Sequence, residues 1–139
     1  MVESQLIIDG VNFIQLRSHS DERGKLIALE EGNGLPFTPK RIFYISDSNS
    51  SSTRACHSGN SEELIIAING SVTADLDNGT QQASIQLNDS SIGVWIRPGV
   101  WLKLTDFSAD TILLVAASLT YAETIHQSHP DFSCKAYSQ

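Results

Sequence analysis

Short apolar runs broken by Gly, Asn, Asp, Ser and Pro dominate the chain, and few stretches repeat with the period of a helix. Nine runs have the length and the Ile, Val, Leu and aromatic content of β-strands: Gln5–Ile8, Lys25–Glu30, Arg41–Ile45, Glu63–Ile68, Ser71–Leu76, Ala83–Leu87, Ile92–Ile96, Trp101–Phe107 and Thr111–Ala117. Asn69-Gly70 and Asp77-Asn78-Gly79 are hairpin signals, because Asn and Gly tolerate the positive φ of a tight reversal. The serine-rich stretch Ser46–Thr53 is expected to be a flexible loop, and Tyr121–His129 a short helix ended by Pro130. This pattern predicts an all-β sandwich or barrel with a short C-terminal helical segment.

Composition narrows the function. A chain of 139 residues with 40% hydrophobic content buries one core and is too short to split comfortably in two, so one domain spanning 1–139 is expected. Sixteen acidic residues against nine basic ones, a net charge of −7 with no Lys/Arg cluster, argue against nucleic acid as a partner. The apolar runs are shorter than a membrane span, and the acidic start of the chain does not resemble a signal peptide, so no membrane association and a cytoplasmic location are expected. Two cysteines, Cys56 and Cys134, make no disulfide framework and are expected to be free thiols.

Two stretches carry candidate chemistry. "RACHSGNSEELIIAING", residues 54–70, places His57 six residues before Glu63 and an apolar strand. "WIRPGVWLKLTDF", residues 95–107, turns the chain at Arg97-Pro98-Gly99 between two apolar strands. Together they resemble the paired strand-turn-strand units of a cupin, a double-sheet jelly-roll barrel with its ligand pocket between them. Metal-binding cupins draw three histidines and a glutamate from these units. Here His57 and Glu63 are present, Gly59 stands in the second histidine's place, and Leu102 falls where the last would be. One imidazole and one carboxylate fall short of the three or four protein ligands that stable sites use, so no metal is expected.

A second resemblance covers nearly the whole chain. Residues 21–45, "DERGKLIALEEGNGLPFTPKRIFYI", then Arg54, "INGSV" and "PGVWLKLTDFS", are similar to the sugar 3,4-ketoisomerases acting on dTDP-4-keto-6-deoxyglucose. Asp21, Arg23-Gly24, Leu26, Pro36-Phe37, Lys40-Arg41 and Tyr44 form the most specific part. The resemblance implies a homodimeric cupin that needs no cofactor or metal, binds a dTDP-linked deoxysugar and feeds deoxysugar biosynthesis for surface polysaccharide. Members of that family carry Arg-Gly-x-His-x-His, whose two histidines are the acid/base pair; this chain reads Arg54-Ala55-Cys56-His57-Ser58-Gly59 and keeps only the first.

Moving a carbonyl from C4 to C3 demands removal of the C3 proton, an enediol, delivery of a proton to C4 and transfer of a proton between the oxygens. His57 is the expected base and Tyr44 the expected partner, with Glu63 or water as substitutes. Arg41 and Arg54 are expected to grip the diphosphate, since guanidinium forks match phosphate oxygens. Trp95 and Trp101 are expected at the pocket mouth, against thymine or the sugar. His19, His126 and His129 receive no role. Returning an imidazole by Gly59→His is expected to raise turnover. The competing reading is a catalytically silent cupin that binds a nucleotide sugar or regulates a partner enzyme; a metal-dependent dioxygenase is disfavoured by the ligand count.

Overall fold

The structure, a computed structural model, describes residues 4–127. Of the fifteen strands among the described residues, eleven form two main antiparallel sheets. β1 (Ser4–Ile8), β2 (Val11–Gln15), β12 (Ile92–Ile96), β9 (Glu63–Asn69), β14 (Ile112–Ala117) and β7 (Arg41–Ile45) build one in that spatial order. β11 (Gln82–Leu87), β10 (Val72–Asp77), β13 (Trp101–Thr105), β8 (Arg54–Gly59) and β15 (His126–Gln127) build the other. A hairpin of β3 (Ser18–Asp21) and β4 (Gly24–Ile27), and a short parallel pair, β5 (Glu30–Glu31) and β6 (Gly34–Leu35), lie apart from both. This is the double-sheet barrel of a cupin.

Strand alternation explains the layering. On β9, Ile65 and Ala67 point inward to join Val11, Val94, Leu113 and Val115, and meet Ala74, Leu76, Leu102 and Leu104 from the facing sheet. Leu64 and Ile66, one residue out of phase, point to the opposite face, where Ile14, Leu16 and Ala116 are covered by Leu35 and Phe37. The six-stranded sheet is therefore buried on both sides over β9, which is why Glu63–Ile68 reads as an unbroken apolar run. Of the stretch most specific to the family resemblance, Phe37 joins this outer cover beside Leu35, Ile27 and Leu29, whereas Asp21, Arg23, Gly24 and Leu26 are exposed.

The observed elements correct several expectations. β2 and β8 are strands that the apolar pattern did not select, and Lys25–Glu30 breaks after Ile27. Asp77-Asn78-Gly79 does close a hairpin, since β10 pairs with β11 from Val72↔Leu87 to Asp77↔Gln82. Asn69-Gly70 does not; it carries the chain from one sheet to the other. Gly70 has φ 74°, and a Cβ there would lie 2.5 Å from Ser108 Oγ and 2.7 Å from Thr111 Cα, so the crossover needs a residue without a side chain.

The expected C-terminal helix is absent over 121–127: a turn at Thr120–Thr124 leads into β15, which pairs with β8 as His126↔Gly59 and Gln127↔Ser58. His129, Pro130 and Cys134 lie outside the described residues. No helix among the described residues is long and apolar enough to cross a membrane.

Candidate active site

A cavity of about 810 Å³ opens between the sheets on the side where β7 faces β8. Phe43 and Ile45 of β7, Ile65 of β9, Leu102 and Leu104 of β13 and Val115 of β14 form its apolar wall. The 46–53 loop supplies Ser46, Asp47, Ser48, Ser52 and Thr53, hydroxyls and a carboxylate that the sequence reading treated only as a flexible connection. Arg41, Tyr44, Arg54, Ala55, His57 and Glu63 complete the lining. The structure thus brings together five of the candidate site residues, Arg41, Tyr44, Arg54, His57 and Glu63.

Tyr44 lines the cavity at its rim, 72% exposed, between the inward-turned Phe43 and Ile45. Alternation separates the tryptophans. Trp95 lies between the inward Val94 and Ile96, and therefore packs on the outer cover. There its Nε1 donates to Glu62 Oε1 at 3.0 Å, and the Arg97 guanidinium sits 4.0 Å from its ring centroid. Trp101 is 1% exposed and out of phase with Leu102 and Leu104, which line the cavity. Neither tryptophan stands at the pocket mouth.

His57 owes its position to a distortion of β8. Its partner on β13 is Leu102, but Lys103 pairs with Ala55, so Cys56 is an extra residue, a β-bulge. Ala55 and Cys56 both adopt left-handed backbone, with φ 68° and 59°, at a cost of roughly 1–2 kcal/mol each. The bulge directs Cys56 into the protein, where it is 3% exposed, and His57 toward the cavity. His57 is itself buried, and its Nε2 has no hydrogen-bond partner among the described residues. Burial, and then the neighbouring His126, push its pKa down from 6.5 to about 4. The ring is therefore neutral at neutral pH.

His126, to which the sequence gave no role, stacks on His57 with ring centroids 4.0 Å apart and planes 22° from parallel. Its own pKa is lowered by burial and by the charge of Arg41. The Arg41 guanidinium lies between two rings, 4.4 Å from the Phe43 centroid and 4.9 Å from that of Tyr121. Polar residues at 121–127 gave no periodic signal; the only hint was an unassigned histidine in a chain lacking one at position 59. Among the described residues no group of three His, Cys, Asp or Glu side chains is placed to hold a metal ion.

The chain is 36% identical over 112 residues, 80% of its own length and 81% of the other's, to the TDP-4-oxo-6-deoxy-alpha-D-glucose-3,4-oxoisomerase of Aneurinibacillus thermoaerophilus. The TDP-quinovose 3,4-ketoisomerase WlaRB of Campylobacter jejuni superposes with a TM-score of 0.79 at 36% identity, covering 82% of this chain and 88% of that one. A variant of the 3,4-ketoisomerase QdtA of Thermoanaerobacterium thermosaccharolyticum, solved in complex with TDP-4-keto-6-deoxyglucose, gives 0.81 at 34% identity over 86% and 88%. Residues 9–132 match the family described as "FdtA: WxcM-like, C-terminal". From the double-sheet barrel, the His57 cavity and identity sustained over four-fifths of its length, the chain belongs to this FdtA-like family of sugar 3,4-ketoisomerases.

Proposed function

We propose that the protein is a 3,4-ketoisomerase of a dTDP-linked 4-keto-6-deoxyhexose. One observation carries the reading: a buried, neutral imidazole, His57, sits in the wall of a cavity that also presents Arg41 and Arg54. A neutral imidazole can take the C3 proton and return it to C4, on one face of the sugar. Glu63, on the same wall, moves the hydroxyl proton from the C3 oxygen to the C4 oxygen. Arg41 and Arg54 hold the diphosphate, and the apolar wall excludes water from the enediol. The two tryptophans drop out of the assignment, because they pack away from the cavity, and Tyr44, at its rim, stands beside Glu63 as the alternative carrier of the hydroxyl proton.

The chain is read as one cytoplasmic domain acting as a homodimer. β1 is an edge strand with Leu6 58% exposed, and pairing such an edge across a two-fold axis removes an association liability. Light scattering that reports a monomer at micromolar concentration would count against the dimer.

The test of the activity is incubation with dTDP-4-keto-6-deoxyglucose in deuterated water. Deuterium should enter at C4 of the 3-keto product and, by reversal, at C3 of the recovered substrate, and His57→Asn should abolish both while dTDP still binds. Binding without exchange in the wild type would overturn the isomerase and leave the silent nucleotide-sugar binder. Exchange that survives His57→Asn would move the base to Glu63.

A further inference from the structure

The segment from Thr120 to Gln127 is fastened to the barrel as a strap. Thr120 N and Oγ1 both donate to Glu123 Oε1 at 3.0 Å, and Thr124 Oγ1 donates to Thr120 O at 2.7 Å. Lys40 pairs with Glu123 at 3.5 Å. Asn60 works from both ends of its amide: Nδ2 donates to Glu123 O at 3.2 Å, and Oδ1 accepts from Ile125 N at 2.8 Å. The turn is thereby held in front of β8, and β15 follows with His126 opposite Gly59.

Gly59 makes room for this. A Cβ on Gly59 would lie 3.2 Å from His126 Cδ2 and 3.3 Å from Ile125 O, so a side chain there and the strap compete for one volume. Beside the two imidazoles lies a void of about 20 Å³, lined also by Glu63, Arg97, Ser61 and Thr124. His126 lines this void but not the main cavity, so His57 separates it from the substrate's side. The strap reaches a second binding group as well, through Tyr121 against Arg41.

We infer that His126 is a positioning residue for His57: delivered by the C-terminal strap into the volume vacated at Gly59, its ring fixes the plane of the reacting imidazole. The inference rests on the isomerase reading given above. A side chain free to rotate spends its time in unproductive orientations, and misplacement on the scale of an ångström costs about 10²-fold in rate. A stacked ring removes that freedom without touching the substrate. Charged groups beside the pair include Arg41, Glu63 and Arg97, with Arg54 and Asp47 across the main cavity, and the ring stacked on His57 among the described residues is that of His126.

His126→Ala and His126→Phe in the full chain separate the possibilities. With dTDP-4-keto-6-deoxyglucose, His126→Ala should lower kcat by about 10²-fold with KM and dTDP affinity little changed, and His126→Phe, which keeps the stack, should recover most of kcat. Full kcat in His126→Ala would overturn the inference, and so would a Phe variant as slow as Ala, since the imidazole nitrogens would then be needed. If the wild type itself shows no turnover, the isomerase reading fails, and proton NMR decides the positioning claim on its own. The His57 ring protons should lose their ring-current shift in His126→Ala but not in His126→Phe. Unchanged His57 resonances in His126→Ala would overturn the inference whatever the activity.

Discussion

Lowering the pH from about 7 to about 4.5 should destabilise the wild type more than a His57→Asn variant, because only the wild type holds a buried imidazole that refuses its proton. Burial first, and His126 second, lower the His57 pKa from 6.5 to about 4. In the unfolded chain the ring returns to its ordinary value. Between those two values the unfolded state binds a proton that the folded state does not, so stability rises with pH across this window. The contribution is complete above the unfolded pKa and is lost as pH falls toward the folded one. Integrated over the stated range, a shift of this size amounts to roughly 2 kcal/mol. Asn cannot titrate, so urea unfolding of the two proteins at a series of pH values isolates the term. His126 is lowered in the same direction and contributes a similar slope to both proteins. Asp21, Asp89, Asp110 and Glu123, all held below the usual carboxylate range by hydrogen bonds, titrate mostly beneath the window in both. The difference in unfolding free energy between the proteins should therefore shrink by roughly 2 kcal/mol on acidification. Parallel curves would mean that His57 is solvated, and the neutral-base assignment would fall with them.

Other outcomes follow from the same geometry. Ala55→Gly should raise stability by about 1 kcal/mol, near 3 °C in Tm, because glycine relieves the left-handed φ of 68° at the bulge; a lower melting temperature would refute the strain. Saturating dTDP at about 100 times its Kd should stabilise the protein by roughly 2.7 kcal/mol, and Arg41→Ala or Arg54→Ala should weaken binding about 10- to 100-fold. Identical thermal shifts in wild type and variants would remove the arginines from the site. Gly59→His alone should not raise turnover, contrary to the expectation from the family pattern, because His126 and Ile125 occupy the space the new side chain needs. Faster turnover in that variant, measured by C3 exchange, would show that the strap yields.

The strands buried on one or both faces were legible in the chain because their residues announce the period. Arg41–Ile45 was located to the residue, and Glu63–Ile68 and Thr111–Ala117 to within one. β8 escaped because the extra Cys56 breaks alternation where it would otherwise be read, and because Ser58 and Gly59 give it no apolar weight. The family motif still pointed to His57, Arg54 and Arg41, since those positions depend on local sequence. Trp95 was misplaced although period two already assigns it to the face opposite Val94 and Ile96. His126 was beyond local reasoning. Its importance arises from a pairing with Gly59, 67 positions earlier in the chain, and no pattern within 121–127 encodes that contact.

That pairing has a consequence for the order in which the protein becomes competent during synthesis. Translation is vectorial, at about 5–20 residues per second, and every strand of both main sheets except β15 precedes Thr120. β14, which lends Val115 to the cavity wall, ends only three residues before the strap begins, so the last wall of the chamber and the ring that steadies His57 leave the ribosome almost together. Closure of the barrel and delivery of His126 are thus late events of the same stretch of chain.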